Sequence, residues 1–256
     1  MTPLAELTPV IQSMLWHGFV VFLRVAAVAA LLPAFGEQSV PVRIKLAIAL
    51  AFTSIIAPAV TPAVADPNFS MAARLILTEI LTGLAMGLGL RLLVLALQTA
   101  GAIAAQSTSL SQILGGAAAE PLPAIGYVLI VASIALAVMS GLHVKAAQLV
   151  ILSYDVLPMG QFPDASILSE WGVAQVSRAF ALAFTLAAPF VILSVLYNLA
   201  LGVINKAMPQ LMVAFVGAPL ITAGGLAMLC IASPMILGVW MAALDGFLAN
   251  PFGVTR

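Results

Sequence analysis

Apolar residues along this chain run in long unbroken blocks, and short clusters of proline, glycine and charged residues separate them. Six blocks can be marked, at about 10–32, 44–65, 71–105, 123–153, 171–204 and 211–249. Each holds at least 20 residues, enough to cross a hydrocarbon core of roughly 30 Å as a helix. Leu, Ala and Met dominate without period-two alternation, and a lipid-facing segment satisfies its backbone only within itself, so helices are predicted rather than strands. The predicted fold class is all-α: a polytopic membrane-type protein of long kinked helices and helical hairpins, forming one domain over 1–256.

Two blocks are too long for a simple crossing. The 35 residues of 71–105 would reach roughly 52 Å as a helix. The last block contains Pro219 and Pro234. Proline removes a backbone donor and crowds the preceding turn, which predicts a helical hairpin or a pair of half-helices there. Broken helices at membrane depth are tolerated only inside protein or beside a water-filled cavity.

Charge sharpens the picture. Only 7% of the 256 residues are charged, 63% are hydrophobic, and the formal net charge is zero. Such a chain cannot clothe a soluble surface, and it lacks the basic footprint of a nucleic-acid binder. Arg24, Glu79, Arg91 and Arg178 nevertheless lie within the apolar blocks. Each charge at a bilayer centre would cost about 2.5–3.5 kcal/mol. Glu79 and Arg91 share one predicted helix but stand roughly 18 Å apart along it, so their partners belong to other helices or other chains. Snorkelling to an interface is the alternative for Arg24 and Arg178. Arg43, Lys45 and Lys206 fall on one side of the predicted spans, and Asp155, Asp164 and Glu170 on the other, which favours an external N-terminus. The first 23 residues carry Glu6 and no Lys or Arg, so no signal peptide is predicted. Cys230, the one cysteine, sits in an apolar run and is expected to be a small buried hydrophobe.

No constellation for catalysis emerges. His17 and His143 are far apart, and neither has a second ligand at helical spacing, so no metal site is predicted. Ser140, Gly141 and His143 superficially suggest an intramembrane serine protease, but Val138 stands where such enzymes carry glycine, and the residues share one predicted helix. The pair Asn250 and Pro251 is a lone dipeptide, and no phosphate-cradling glycine loop exists, so no cofactor is expected. The features left concern packing and gating. Gly83 and Gly87, extended by Gly101, form a small-residue face that admits a neighbouring helix, from this chain or another. Residues 106–123, QSTSLSQILGGAAAEPLP, carry hydroxyls, amides and paired glycines, with Glu120 their only charge. They read either as a movable constriction or as a plain loop.

At Asn205 the chain reads NKAMPQLMVAFVGAP. This resembles the signature of the FliR family of flagellar export proteins and their virulence type III secretion relatives, through Asn205, Lys206, Pro209, Gln210, Gly217 and Pro219. PAFGEQSVPVRIKLAIAL places Pro33, Gly36, Pro41, Arg43 and Lys45 as in that family, and Glu79, Gly83, Gln98 and Gly101 are similarly placed. The resemblance covers nearly the whole chain. It departs at Met212, Ala214 and Ile221, where the family more often has Asn, an aromatic and a basic residue.

The resemblance implies a non-enzymatic subunit of the flagellar export gate, in the bacterial inner membrane at the basal body. Such a chain stands as a single copy among several copies of two smaller helical subunits, FliP-like and FliQ-like. A larger gate protein and a FlhB-like membrane component are further partners. Membrane lipid and unfolded protein substrates complete the contacts, and transport is driven by the proton motive force and an associated ATPase. It also implies that the channel plug follows Gln106, with Ser107, Ser109, Leu110, Ile113, Leu114, Gly115 and Gly116 as candidate gate residues. Candidate assembly residues are Arg43, Lys45, Glu79, Gly83, Gly87, Arg91, Asn205, Lys206, Pro209, Gln210, Gly217 and Pro219. A virulence homologue and a small-molecule permease component are the alternative readings.

Overall fold

The computed structural model describes the backbone of residues 3–63, 68–108, 124–208 and 213–253, and side chains within 8–63, 68–107, 125–208 and 220–253. Among these residues the chain is all helix, with no strand. The order is α1 (Pro3–Leu31), α2 (Val42–Ile56), a 3-10 turn (Ala57–Ala59), α3 (Phe69–Thr108), α4 (Ala124–Met139), α5 (Leu142–Val156), α6 (Ala165–Ala207) and α7 (Val213–Ala249). Five of the helices contain segments long and apolar enough to cross a membrane, and the pair α4 and α5 would add a bent sixth span.

Helix starts follow local chemistry. The Asn68 side-chain oxygen accepts the Met71 N–H at 2.9 Å and so caps α3. Asp164 does the same for α6, accepting the N–H groups of Ser166 and Ile167.

The predicted break in the last block is not there. Helix α7 runs continuously through Pro219 and Pro234. Each proline deletes one backbone bond, and the remaining bonds of a 37-residue helix outweigh that loss in an apolar setting where no other backbone form is satisfied. The break falls in the fourth block instead, where α4 and α5 meet at a 72° bend. Its cause is Gly141, whose φ of 81° is open to glycine and strained for other residues. Cys230 also departs from expectation, being exposed on α7. That helix is apolar all round, so its sequence pattern does not say which face turns inward.

Packing groups the residues into two compact units. The first comprises Met1–Leu92, Ala137–Gln175 and Leu244–Arg256. Here α1 and α3 run parallel, with α2 as the return. A Cβ at Gly83 would stand 2.8 Å from the Ala27 Cβ, and one at Gly87 would stand 2.9 Å from the Leu31 Cβ. The two glycines therefore let the helix backbones approach. Around them Val20, Val21, Val25, Val28, Leu32, Met86 and Leu90 form a closed core.

The second unit comprises Leu93–Leu136 and Val176–Ala243. Gly101 on α3 lies against Gly126 on α4, where a Cβ would strike the facing Cα. Trp240 and Phe190 are fully buried, and the Trp240 indole donates to the Leu93 carbonyl at 2.9 Å.

Candidate functional site

The most concentrated polar chemistry lies in the first unit, at Arg24. Its Nε donates to Glu79 Oε2 at 2.8 Å and its Nη2 to Oε1 at 2.9 Å, with both side chains fully buried. Nη1 donates to Ser153 Oγ at 3.0 Å, and Nη2 also donates to the Leu157 carbonyl at 2.9 Å. The guanidinium carbon lies 3.7 Å from the centre of the Tyr154 ring. Four of the five guanidinium donors are thus used, and an aromatic face covers the plane. One cation joins α1, α3 and the end of α5. Snorkelling is excluded for Arg24. For Arg178, half-buried on α6, no ion-pair partner occurs among the described residues.

A second cluster explains the proline- and glycine-bearing turn after α1. Gly36 sits where a Cβ would strike the Ala30 carbonyl. Lys45 reaches back from α2 to donate to the Gly36 carbonyl at 3.0 Å. Glu37, the next residue, receives Arg91 from α3 at 2.8 Å, with each side chain 24% exposed. Arg43 projects outward, exposed and with no ion-pair partner among the described residues. On α5, Lys145 reaches Asp245 of α7 at 2.8 Å, in a more exposed pair.

The expected assembly residues therefore divide. Glu79, Gly83, Gly87, Lys45 and Arg91 make their contacts within this chain. Arg43, Asn205 and Lys206 are exposed. Gly217 and Pro219 lie within α7, whose side chains there are outside the described residues, as are Pro209 and Gln210 altogether.

Of the expected plug, Ser107 lies in the last turn of α3, and its carbonyl accepts the Ser194 hydroxyl of α6. Asn198, one turn on, donates to Ser194 Oγ at 3.2 Å. Ser109, Leu110, Ile113, Leu114, Gly115 and Gly116 lie outside the described residues. Glu37, Ser153, Tyr154, Leu157, Ser194 and Asp245 carry no sequence signal for these roles. Their partners are 54 to 133 residues away along the chain.

Ser140 and His143 are not brought together as a catalytic pair. Ser140 Oγ is spent on the Ala137 carbonyl of its own turn at 2.8 Å, while His143 is exposed beyond the 72° bend. Among the described residues no three His, Cys, Asp or Glu side chains converge as metal ligands.

Many large apolar side chains face outward instead, among them Phe180, Phe184, Leu196, Leu199 and Val203 on α6 and Leu226, Ile231 and Met235 on α7. Internal ion pairs inside long helices with greasy exteriors define a membrane-embedded helical protein. Bacterial export proteins, family 1, match residues 15–247, and the chain belongs to that family. The flagellar biosynthetic protein FliR of Caulobacter vibrioides is 31% identical over 224 residues, covering 86% of this chain and 89% of its own. The FliR protein of Escherichia coli K12 is 31% identical over 221 residues, covering 84% and 83%. That of Bacillus subtilis 168 is 28% identical over 230 residues, covering 86% of each. The family is one of flagellar biosynthetic export components.

Proposed function

We propose that this chain is a non-catalytic subunit of the flagellar type III protein export gate in the bacterial inner membrane, at the flagellar basal body. It forms part of the channel wall and supplies a plug from the segment that follows Gln106. The observation that carries this reading is the family match over 15–247, supported by exposed apolar helices such as α6. Long helices of 40, 43 and 37 residues exceed a bilayer core of roughly 30 Å. They suit an assembly in which sibling polypeptides cover what lipid does not. The partners proposed are the FliP-like and FliQ-like small helical subunits, with one copy of this chain among them, together with the larger gate protein and the FlhB-like component. Exposed Arg43, Asn205 and Lys206, with Pro209, Gln210, Gly217 and Pro219, are assigned to those contacts.

Deleting 110–116 tests the plug. Reconstituted complexes should assemble in near-normal yield and become leaky to small solutes, and an unchanged conductance would remove the assignment. Loss of motility in a strain lacking the gene, with copurification of two small membrane proteins, is the expected outcome for the gate as a whole. A lone chain that is stable and moves a solute unaided would overturn it.

A further inference from the structure

His17 lies on α1, two turns before Arg24, and is half-buried. Its two ring nitrogens engage backbone groups far along the chain. Nε2 stands 2.8 Å from the Ala57 carbonyl oxygen, and Nδ1 accepts the Ala63 N–H at 3.1 Å. A carbonyl only accepts and an amide only donates. Both bonds therefore form only with a neutral ring that carries its proton on Nε2. The clamped stretch is the 3-10 turn Ala57–Ala59 and the irregular residues 60–63. Thr61, Pro62 and Ala63 line a cavity of about 670 Å³ together with Asn68, Met71 and Arg74 of the α3 start and Pro158 to Gly160.

We infer that His17 is a proton-sensitive clamp on this cavity lining. Histidine is the side chain that ordinarily changes charge between about pH 5 and 8. A proton arriving at Nδ1 turns that acceptor into a donor aimed at another donor, so the bond from the Ala63 N–H is lost. The Nε2 bond to the Ala57 carbonyl persists and becomes charge-assisted. The stretch then stays pinned at Ala57 and is freed at Ala63, which alters the cavity wall without unfolding α1 or α2.

Among the described residues no charge replaces the lost bond; Asp66, three residues beyond Ala63, lies outside them. Residues 57–63 and 157–163 carry none. Arg74 of α3 lines the same cavity and, as a cation, accepts no hydrogen bond. On α1 the nearest charged side chain, Arg24, is engaged by Glu79. Arg43 and Lys45 lie at the opposite end of α2 from Ile56. Near the α5–α6 connection, Asp164 is occupied in capping α6, and Asp155 is exposed.

Hydrogen exchange of the full chain in the assembled complex in lipid nanodiscs tests this, at about pH 8 and about pH 5.5, with rates divided by the intrinsic rate at each pH. The Ala63 amide should lose protection by about tenfold at the acid value, while amides within α2 keep theirs. In His17→Gln the side-chain amide can still donate to Ala57 and accept from Ala63 but does not titrate, so protection should be equal at both values. Equal protection in the unsubstituted chain, or the same loss in His17→Gln, would overturn the inference. If His17→Gln does not assemble, the ¹⁵N shift of the His17 ring in the unsubstituted chain decides. Protonation at Nδ1 should follow the same pH course as the loss at Ala63, and two separate transitions would refute it.

Discussion

Arg24 and Glu79 face each other through two parallel hydrogen bonds of 2.8 and 2.9 Å, with no solvent exposure on either side chain. The geometry is bidentate, and Ser153 and the Leu157 carbonyl take further donors. Desolvation of the two charges is offset only because the set is nearly complete. Removing one member leaves the other as an uncompensated buried charge. Arg24→Met or Glu79→Leu alone should destabilise the chain by about 3–5 kcal/mol. The double variant should regain most of that loss. Thermal denaturation of the purified complex measures it, and single variants as stable as the parent would show that the pair does not hold α1 to α3.

Glycine positions should respond according to what faces them. Gly83→Val and Gly101→Val each drive a side chain into a packed neighbour, Ala27 in one case and Gly126 in the other. Overpacking of this kind costs about 1–3 kcal/mol or more. Gly172 on α6 has open space around its Cβ position, so Gly172→Ala should gain up to about 1 kcal/mol from helix propensity. Detergent-resistance midpoints of both valine variants should fall below the parent, and that of Gly172→Ala should lie at or above it.

Asp164 gives a signed pH dependence outside the membrane-spanning part of α6. The Ser166 hydroxyl is the main cause that holds its carboxyl below the usual aspartate range, followed by the N–H groups of Ile167 and Ser166. The folded chain therefore binds this proton less readily than the unfolded chain. The cap contributes fully above the unfolded titration range, near about pH 4, and its contribution is lost as pH falls through the lower folded value. Exchange protection at Ser166 and Ile167 should follow that course. Asp164→Asn should keep the cap at all pH values, and Asp164→Ala should lose it at neutral pH. Protection unchanged in Asp164→Ala would contradict the assignment.

Ser140→Ala and His143→Ala should leave flagellar export at the parental level, because the Ser140 hydroxyl is tied to Ala137 and does not meet His143. Secretion of flagellar subunits into culture medium is the readout. A selective loss of export with normal assembly in either variant would show a chemical role that the geometry does not supply.

Membrane character, the apolar blocks and the family were written in the chain itself. Unbroken Leu- and Ala-rich blocks leave the backbone one way to satisfy itself in lipid, and the residues around Gly36 and Asn205 carried the resemblance to the FliR family. Helix starts at Asn68 and Asp164 were equally local, since a cap acts within three residues. What only the tertiary structure decided was which distant residues met. Nothing near Arg24 announces Glu79, Ser153 or Leu157, and nothing near Arg91 announces Glu37, because ion pairing in a folded chain depends on helix register rather than on sequence distance. The break at Gly141 and the continuity through Pro219 and Pro234 belong to the same category. A proline's missing bond is tolerated where the rest of the helix has no better alternative, whereas a left-handed glycine redirects the chain outright.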